Sequence, residues 1–562
     1  MTQGSERVVR ARCRVRRAPR ASAARGVRRA AGVALPVTLL LAMLVTASPA
    51  TAAAPAFERA WGKDVGGAGV GLCTVATSCQ AGASGALGGQ LNTPGYVAID
   101  PAGNVYVADP GNRRVDKFDA AGTFLLAWGK DVGGSGVGIC TVAANCLQGG
   151  TGSLGGEFAL NGPSGIATDA FGHVFVTEFF ANRIQEFTTT GGFVRAWGKD
   201  VGGSNVGVCT SAPLCQAGAS GGSGGELFGP EGVATDAAGD VYVADQLNRR
   251  IQEFGATGSF IRAWGKDVGG AGTHLCTLAG SCQAGNIGGL GSEFTAPEGI
   301  ATDGAGEVYV TDASQFRVQK FDGSGAFERA WGKNVGGAGI GLCTLAATCQ
   351  PGQSGVQGGE FYANGPFGVA TDAASHVYVV NASTGGRVNE FDSSGTFLQA
   401  WGKDAGGAGV GVCTVAANCQ NAPAGPLGGE FVFPQGVAIS PGGAVYVAEA
   451  FNRRIQRFGT PVTSVPPPLP PAAADVTAPD TTFVKKPKTG TQRKAKLIFT
   501  SSEAGSTFQC QVDSAKAWKT CGSPLKLKRL KVGKHKVQVR AVDFSGNIDQ
   551  TPAIAKWKVR SS

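Results

Sequence analysis

The chain has 562 residues, 16% charged and 43% hydrophobic, a balance that excludes both a charge-rich disordered polymer and a membrane bundle. Glycine fills 90 positions without a Gly-X-Y register, which excludes collagen and implies many tight turns. The net charge of +10 is no argument for nucleic acid, because it is divided: +9 in the first 31 residues, −11 from there to Ala474, and +12 from Asp475 onward.

The first segment in chain order holds ten arginines up to Arg29, an apolar run over 30–45 and the small residues SPATAAAPA. These are the basic, apolar and cleavage regions expected of a secretory signal over 1–54, with Arg28 and Arg29 as a faint twin-arginine feature. A single membrane anchor is the competing reading, but the run is about 15 residues and a span needs about 20. The mature chain is expected to be secreted or extracellular, with no transmembrane anchor after cleavage, and to be associated with the envelope through its basic end.

Removing Cys13 with the signal leaves fourteen cysteines, an even number suited to an oxidising compartment. Twelve form pairs six positions apart: Cys73/Cys79, Cys140/Cys146, Cys209/Cys215, Cys276/Cys282, Cys343/Cys349 and Cys413/Cys419. Zinc prefers shorter spacings and four ligands, so six local disulfides are expected, and Cys510/Cys521 form a seventh pair. Each small ring should stabilise its loop by about 2 kcal/mol.

The tripeptide AWG recurs with Trp61, Trp128, Trp197, Trp264, Trp331 and Trp401, at spacings of 67, 69, 67, 67 and 70. That is a repeat architecture. In the third unit, 232–236, 241–245, 251–254 and 260–264 alternate between apolar residues and turn residues too closely for helices, so each unit predicts a four-stranded antiparallel blade. Between each tryptophan and the following Gln90, Glu157, Glu226, Glu293, Glu360 or Glu430 lie 28 residues in every copy, which marks an ordered insert and leaves about 40 residues for the blade, the propeller period. The chain enters with a spare last strand at 57–61, and the sixth unit stops at Phe458 without one. Pairing these two would close a six-bladed ring and leave no edge.

The stretch GPEGVATDAAGDVYVADQLNRRIQEF over 229–254 resembles NHL repeats, and the insert resembles that of secreted actinobacterial NHL proteins. The resemblance spans about 57–458 and implies an all-β fold, a six-bladed NHL-type β-propeller over 55–459 with N-terminal strand closure. NHL propellers serve as sensors, as protein or RNA binders and sometimes as lyases, so the resemblance fixes fold more than function. Residues 460–478 are proline-rich and read as a stiff spacer. Beyond them, 479–562 predicts a small β-sandwich. Its FQCQVD, WKTCGSP and GKHKVQVRAVDFSGN stretches resemble the immunoglobulin-like modules of bacterial surface proteins.

Antiparallel alternation puts the inserts and the turns between second and third strands on one face, as a crown of pinned loops where recognition usually resides. Second strands end in Asp109, Glu178, Asp245, Asp312, Asn381 and Glu449, and third strands begin with Arg114, Arg183, Arg250, Arg317, Arg387 and Arg454. A ring of carboxylates would bind a cation or ligand; alternatively each acid accepts hydrogen bonds from its turn or pairs with its arginine. Lys63, Lys130, Lys199, Lys266, Lys333 and Lys403 open the inserts and would present a charged ring, or else solvated turns. The glycine-rich GGAGVG segments lack the sequel of a phosphate loop. His173 and His376 fall on the opposite face and only His274 in the crown, so no catalytic residue, metal or cofactor is expected.

Lys526, Lys528, Lys531, Lys534 and Lys536 with Arg529 form either a solvated edge that deters sheet pairing or a site for an anionic cell-envelope polymer. The expected function is an exported, non-catalytic binding or scaffold protein whose crown meets a protein or glycan. The alternative is an extracellular lyase or hydrolase, lactonase-like or amidating-lyase-like, acting at the central channel.

Overall fold

A computed structural model describes residues 55–205, 207–459, 478–502, 506–513, 517–542 and 547–561. The expected signal segment and most of the proline-rich spacer lie outside these residues. Six antiparallel sheets of five strands each follow one another along the chain. Blade 3 is representative, with strands Pro230–Thr235, Val241–Asp245, Arg250–Phe254, Phe260–Trp264 and Leu275–Cys276 in sequential order.

The fifth strand corrects the four-stranded expectation. Each insert returns two residues to the blade it has just left, pairing Ala263 with Cys276 and Trp264 with Leu275, and equivalently in the other five. Two residues carry no readable alternation. What holds them is the disulfide beside them: Cys276 and Cys282 are buried against Val268 with Phe260 packed alongside.

Second and third strands are buried on both faces, because each sheet is sandwiched between neighbours. The tryptophan of each AWG bridges two blades. Trp264 packs edge-on to Tyr242 of its own blade and at a tilt against Phe321 of the next, and Trp61, Trp128, Trp197, Trp331 and Trp401 repeat the arrangement. First strands are neighbours of one another around the axis, the sixth beside the first, and so line the channel.

The ring closes as the sequence predicts. Phe57–Trp61 pairs antiparallel with Arg454–Phe458, setting Trp61 opposite Ile455 and Phe57 opposite Phe458. Blade 6 therefore contains both ends of the propeller segment. Arg457 and Glu58 form an ion pair across this seam.

The C-terminal residues form two further sheets. One contains Thr481–Lys485, Ala495–Ser501 and Leu525–Leu527; the other contains Lys519–Cys521, Thr507–Val512, Gly533–Val542 and Ala553–Val559, in that order. Leu497 and Phe499 of the first meet Val537, Val539, Ala555 and Trp557 of the second in one core, so the pair is a β-sandwich.

Candidate functional site

Each insert begins with a Gly-Lys-Asp turn, Gly-Lys-Asn in the fifth, whose third residue has positive φ, as at Asp267 with φ 61°. Its side-chain oxygen then accepts the N–H five residues on: Gly69 to Asp64 at 2.8 Å, Gly136 to Asp131 at 2.7 Å, and Gly339 to Asn334 at 2.8 Å. The glycine-rich segment is thus wrapped around its own aspartate. The lysines expected as a ligand ring sit one per insert and reach back across it. Lys130, Lys199, Lys266, Lys333 and Lys403 lie 3.7, 3.4, 3.7, 3.9 and 3.5 Å from Glu157, Glu226, Glu293, Glu360 and Glu430. Lys63 has Gln90 in place of that acid and donates to the Ser84 carbonyl at 3.2 Å. Partly exposed pairs of this kind each contribute at most about 1 kcal/mol.

The insert disulfides are Cys73–Cys79, Cys140–Cys146, Cys209–Cys215, Cys276–Cys282, Cys343–Cys349 and Cys413–Cys419, each with Cα atoms 5.5–5.6 Å apart. The first cysteine of each pair ends the two-residue strand, and the second follows a short 3-10 turn, as Cys79 follows Ala76–Ser78 and Cys419 follows Ala416–Asn418. The second cysteines are as buried as the first: Cys79, Cys146, Cys215, Cys349 and Cys419 are at most 3% exposed, and Cys282 is 6% exposed. The bridges therefore lie inside the inserts, under the crown surface, and take no part in any outward contact. Cys510–Cys521 joins neighbouring strands of the sandwich, so all fourteen cysteines of the described residues are paired as the spacing predicts.

The carboxylate ring is placed differently from an accessible ligand site. Asp109, Glu178, Asp245, Asp312 and Glu449 are all at most 1% exposed, beneath the inserts. Each accepts a backbone N–H from the end of the preceding insert: Asn92 to Asp109, Ala159 to Glu178, Phe228 to Asp245, Ala296 to Asp312 and Val432 to Glu449, at 2.8–3.0 Å. Asn381 does the same for Tyr362. The reason is positional: the second strand ends where the chain re-enters the blade, and that N–H has no sheet partner.

Beside each acid lies a fully buried arginine. Arg250 donates Nε to Asp245 at 2.9 Å, Nη2 to the Ser223 and Glu226 carbonyls at 2.9 and 2.8 Å, and Nη1 to the carbonyls of Gly222 and, at 3.0 Å, Gln283. Residues 222–226 belong to the insert before the blade and Gln283 to the insert after it. One guanidinium therefore staples two consecutive inserts. Arg114, Arg183, Arg317, Arg387 and Arg454 repeat the pattern. The expected acid–arginine pairing holds for Glu178, Asp245 and Glu449. In blade 1, Arg114 turns instead to Asp116 at 2.8 Å, and burial with repulsion from Asp116 pushes Asp109 up to about 8.

The inserts are also joined to each other. Gly88, Gly155, Gly224, Gly291 and Gly358 each donate N–H to the alanine carbonyl that opens the short turn in the next disulfide loop, and Gly428 closes the circle on Ala76, all at 2.8–2.9 Å. The crown is a second closed ring above the blades. Beside exposed threonines such as Thr74 and Thr141, four of the six inserts turn a pair of aliphatic residues outward: Leu72 and Val75, Ile139 and Val142, Leu275 and Leu278, Leu342 and Leu345 are 39–68% exposed. Sequence reading missed this surface, although the signal was available as branched residues repeated beside each cysteine.

At the crown end of the first strands lie Glu231, Glu298, Phe367 and Gln435, with Ser164 and Tyr96 just ahead of the first strands of blades 2 and 1. Burial pushes Glu231 up to about 7, and burial with the Glu231 charge pushes Glu298 well above the carboxylate range. The Tyr96 hydroxyl is buried without a hydrogen-bond partner. Because the native Glu231 pKa exceeds its unfolded value, the ionised form costs stability as pH rises from about 4.5 through 7. Glu231→Gln should therefore stabilise the chain by about 1–3 kcal/mol at pH 8 and by nothing measurable at pH 4.5, read from denaturant midpoints at the two pH values. A gain equal at both would contradict it.

His173 and His376 lie at the opposite face, held by Asp169 at 2.7 Å and Asp372 at 3.1 Å. Among the described residues, no group of three or more His, Cys, Asp or Glu is placed to hold a metal ion, and no helix is long and apolar enough to cross a membrane.

No protein-family model matches the chain. Solved structures similar to it include a virginiamycin B lyase from Staphylococcus aureus, at 12% identity over 66% of this chain and 97% of that one, TM-score 0.34. Others are a gluconolactonase from Xanthomonas campestris, at 12% identity over 72% and 96% with TM-score 0.36, and a protein of unknown function from Bacteroides thetaiotaomicron, at 15% identity over 68% and 73% with TM-score 0.37. Likeness this distant assigns no activity to the present chain.

Proposed function

We propose that the chain is an exported, non-catalytic binding or scaffold protein that docks a protein partner on the insert crown, with 460–478 as a spacer to the C-terminal module. The observation that carries this is the recurrence of outward aliphatic side chains on loops fixed by a disulfide, an arginine staple and a neighbouring insert. Apolar groups held in water around a rigid rim mark contact surfaces. Branched aliphatic groups add contact area without hydrogen bonds, which suits a protein face better than a hydroxyl-covered glycan. Export is supported by the signal-like first 54 residues and by the disulfides.

The test is a chain carrying Leu72→Ser, Ile139→Ser, Leu275→Ser and Leu342→Ser, four outward positions of the two-residue strands. Its retention on native cell envelopes, measured at about 0.5 M salt so that attachment through the basic C-terminal module is screened, should fall at least about tenfold, the equivalent of 1.4 kcal/mol, with all disulfides still formed. Undiminished retention would remove the crown as the docking face.

A second reading, an extracellular lyase or hydrolase working at the channel, is favoured by one observation: Glu231 and Glu298 stand on adjacent blades near the unpartnered Tyr96 hydroxyl. Turnover of a lactone or amidated peptide that disappears in Glu298→Gln would put this reading first.

A further inference from the structure

We infer that the C-terminal sandwich carries a binding face for a linear phosphodiester polymer, built on cross-strand lysine pairs. Along the antiparallel ladder of Gly533–Val542 and Ala553–Val559, Lys534 stands opposite Lys558 and Lys536 opposite Lys556. The alternation of the strands sends His535, Val537, Trp557 and Val559 into the core, so the four lysines share the outward face. Facing positions in a ladder are where opposite charges stabilise and like charges destabilise. Two successive pairs of the same sign are thus an arrangement that folding alone disfavours.

The surroundings do not relieve it. The lysines border a groove of about 620 Å³ whose one acidic lining residue is Asp513. That carboxylate is already engaged, with Oδ2 at 2.9 Å from His535 Nδ1 and Oδ1 accepting the Lys536 backbone N–H at 3.0 Å. Among the described residues none of the four lysines has a carboxylate within ion-pair distance. The other sheet repeats the device once, with Lys496 opposite Lys526, and a second hollow is lined by Gln492, Arg493, Lys494, Lys528 and Arg529.

Lysines that merely discourage sheet-to-sheet pairing belong on an edge strand. Lys556 and Lys558 meet that description, because Ala553–Val559 is the last strand of its sheet. Lys536 does not, since Asp513 closes the other side of its backbone by accepting its N–H and donating to its carbonyl, whereas Lys534 lies beyond the 537–542 stretch that Thr507–Val512 covers. The spacing of the four lysines, about 7 Å along the strand and about 5 Å across it, offers a two-by-two array of point charges to successive phosphates.

A phosphodiester polymer without bases is favoured over nucleic acid by the aromatic rings near this face, of which Trp557, lining the groove, is only 6% exposed and stacked on His535. Trp518 is covered by the Arg540 guanidinium at 4.2 Å, leaving it unavailable for stacking bases. The seven disulfides place the chain in the oxidising compartments where envelope polymers occur.

The experiment measures binding of the whole chain to synthetic poly(glycerol phosphate), with neutral dextran and single-stranded DNA of matched length as the other arms. Lys534→Gln, Lys536→Gln, Lys556→Gln and Lys558→Gln combined should weaken poly(glycerol phosphate) binding at least about tenfold at 0.1 M salt and flatten its salt dependence. The corresponding Lys→Arg chain should keep both. Lys496→Gln with Lys526→Gln should change affinity less than about threefold, which identifies the four-lysine face as the site. Because the substitutions remove facing like charges, the sandwich should melt no lower than before, so that lost binding is not lost folding. The inference is overturned if the four-fold Gln chain binds as the parent does, if dextran binds equally, or if DNA binds more tightly than the polyol phosphate.

Discussion

Arg250→Met should lower the unfolding free energy by about 3–5 kcal/mol, whereas the equivalent Arg387→Met should cost only about 1–3 kcal/mol. Both side chains are wholly buried and both give four hydrogen bonds to insert carbonyls. The difference lies in the residue at the end of the second strand. Arg250 neutralises Asp245, so its removal strands an ionised carboxylate in the interior. Arg387 faces the neutral Asn381, whose amide is satisfied by both the N–H and the carbonyl of Tyr362.

The charge account also gives the pH dependence. Burial already raises Asp245 and Arg250 lowers it; without the arginine its native pKa rises further above the unfolded value. The Arg250→Met deficit should therefore grow from pH 5 to pH 8, while that of Arg387→Met stays level. Guanidinium midpoints followed by tryptophan fluorescence at both pH values would show it. Equal costs, or a deficit that shrinks as pH rises, would mean that the staple acts through packing and not through charge.

The ring and its seam were legible in the sequence because they rest on repetition. Six AWG tripeptides and the one strand missing at Phe458 were enough to pair Phe57–Trp61 with Arg454–Phe458. The cysteine spacing likewise fixed the disulfides, though not their depth: that Cys146 and Cys349 are fully buried depends on Val132 and Val335 packing beneath them. The fifth strands were not legible, since Leu275–Cys276 and its equivalents are two residues long and are ordered by a disulfide and a buried valine, alanine in the last insert, not by alternation. Nor was the arginine staple. The acids and arginines were visible as two rings of residues, but a guanidinium bound mainly to backbone carbonyls of two separate inserts leaves no side-chain pattern to read. The lysine pairs of the sandwich were visible only as a charge cluster, because facing positions depend on ladder register.

Removing residues 1–61 should leave the propeller unclosed. The loss is larger than one strand's contacts, because the shortened chain exposes Arg454–Phe458 as an unpaired edge on a sheet buried on both faces. It also removes Trp61, which lies between Tyr446 and Phe118 and links blade 6 to blade 1. A buried tryptophan alone is worth about 3–5 kcal/mol on truncation to alanine, a large fraction of what holds a domain folded. The deleted chain should sediment as larger species than the intact chain, and a peptide of residues 55–61, which carries the closing strand alone, should reverse the shift when added in trans. In the intact chain, Trp61→Ala and Trp264→Ala should be equally destabilising, since a closed ring makes the seam equivalent to any other blade boundary. If Trp61→Ala were nearly silent while Trp264→Ala was costly, the ring would be open at that boundary. Blade 6 would then end at Phe458, and the closing circle of inserts from Gly428 to Ala76 would have no foundation beneath it.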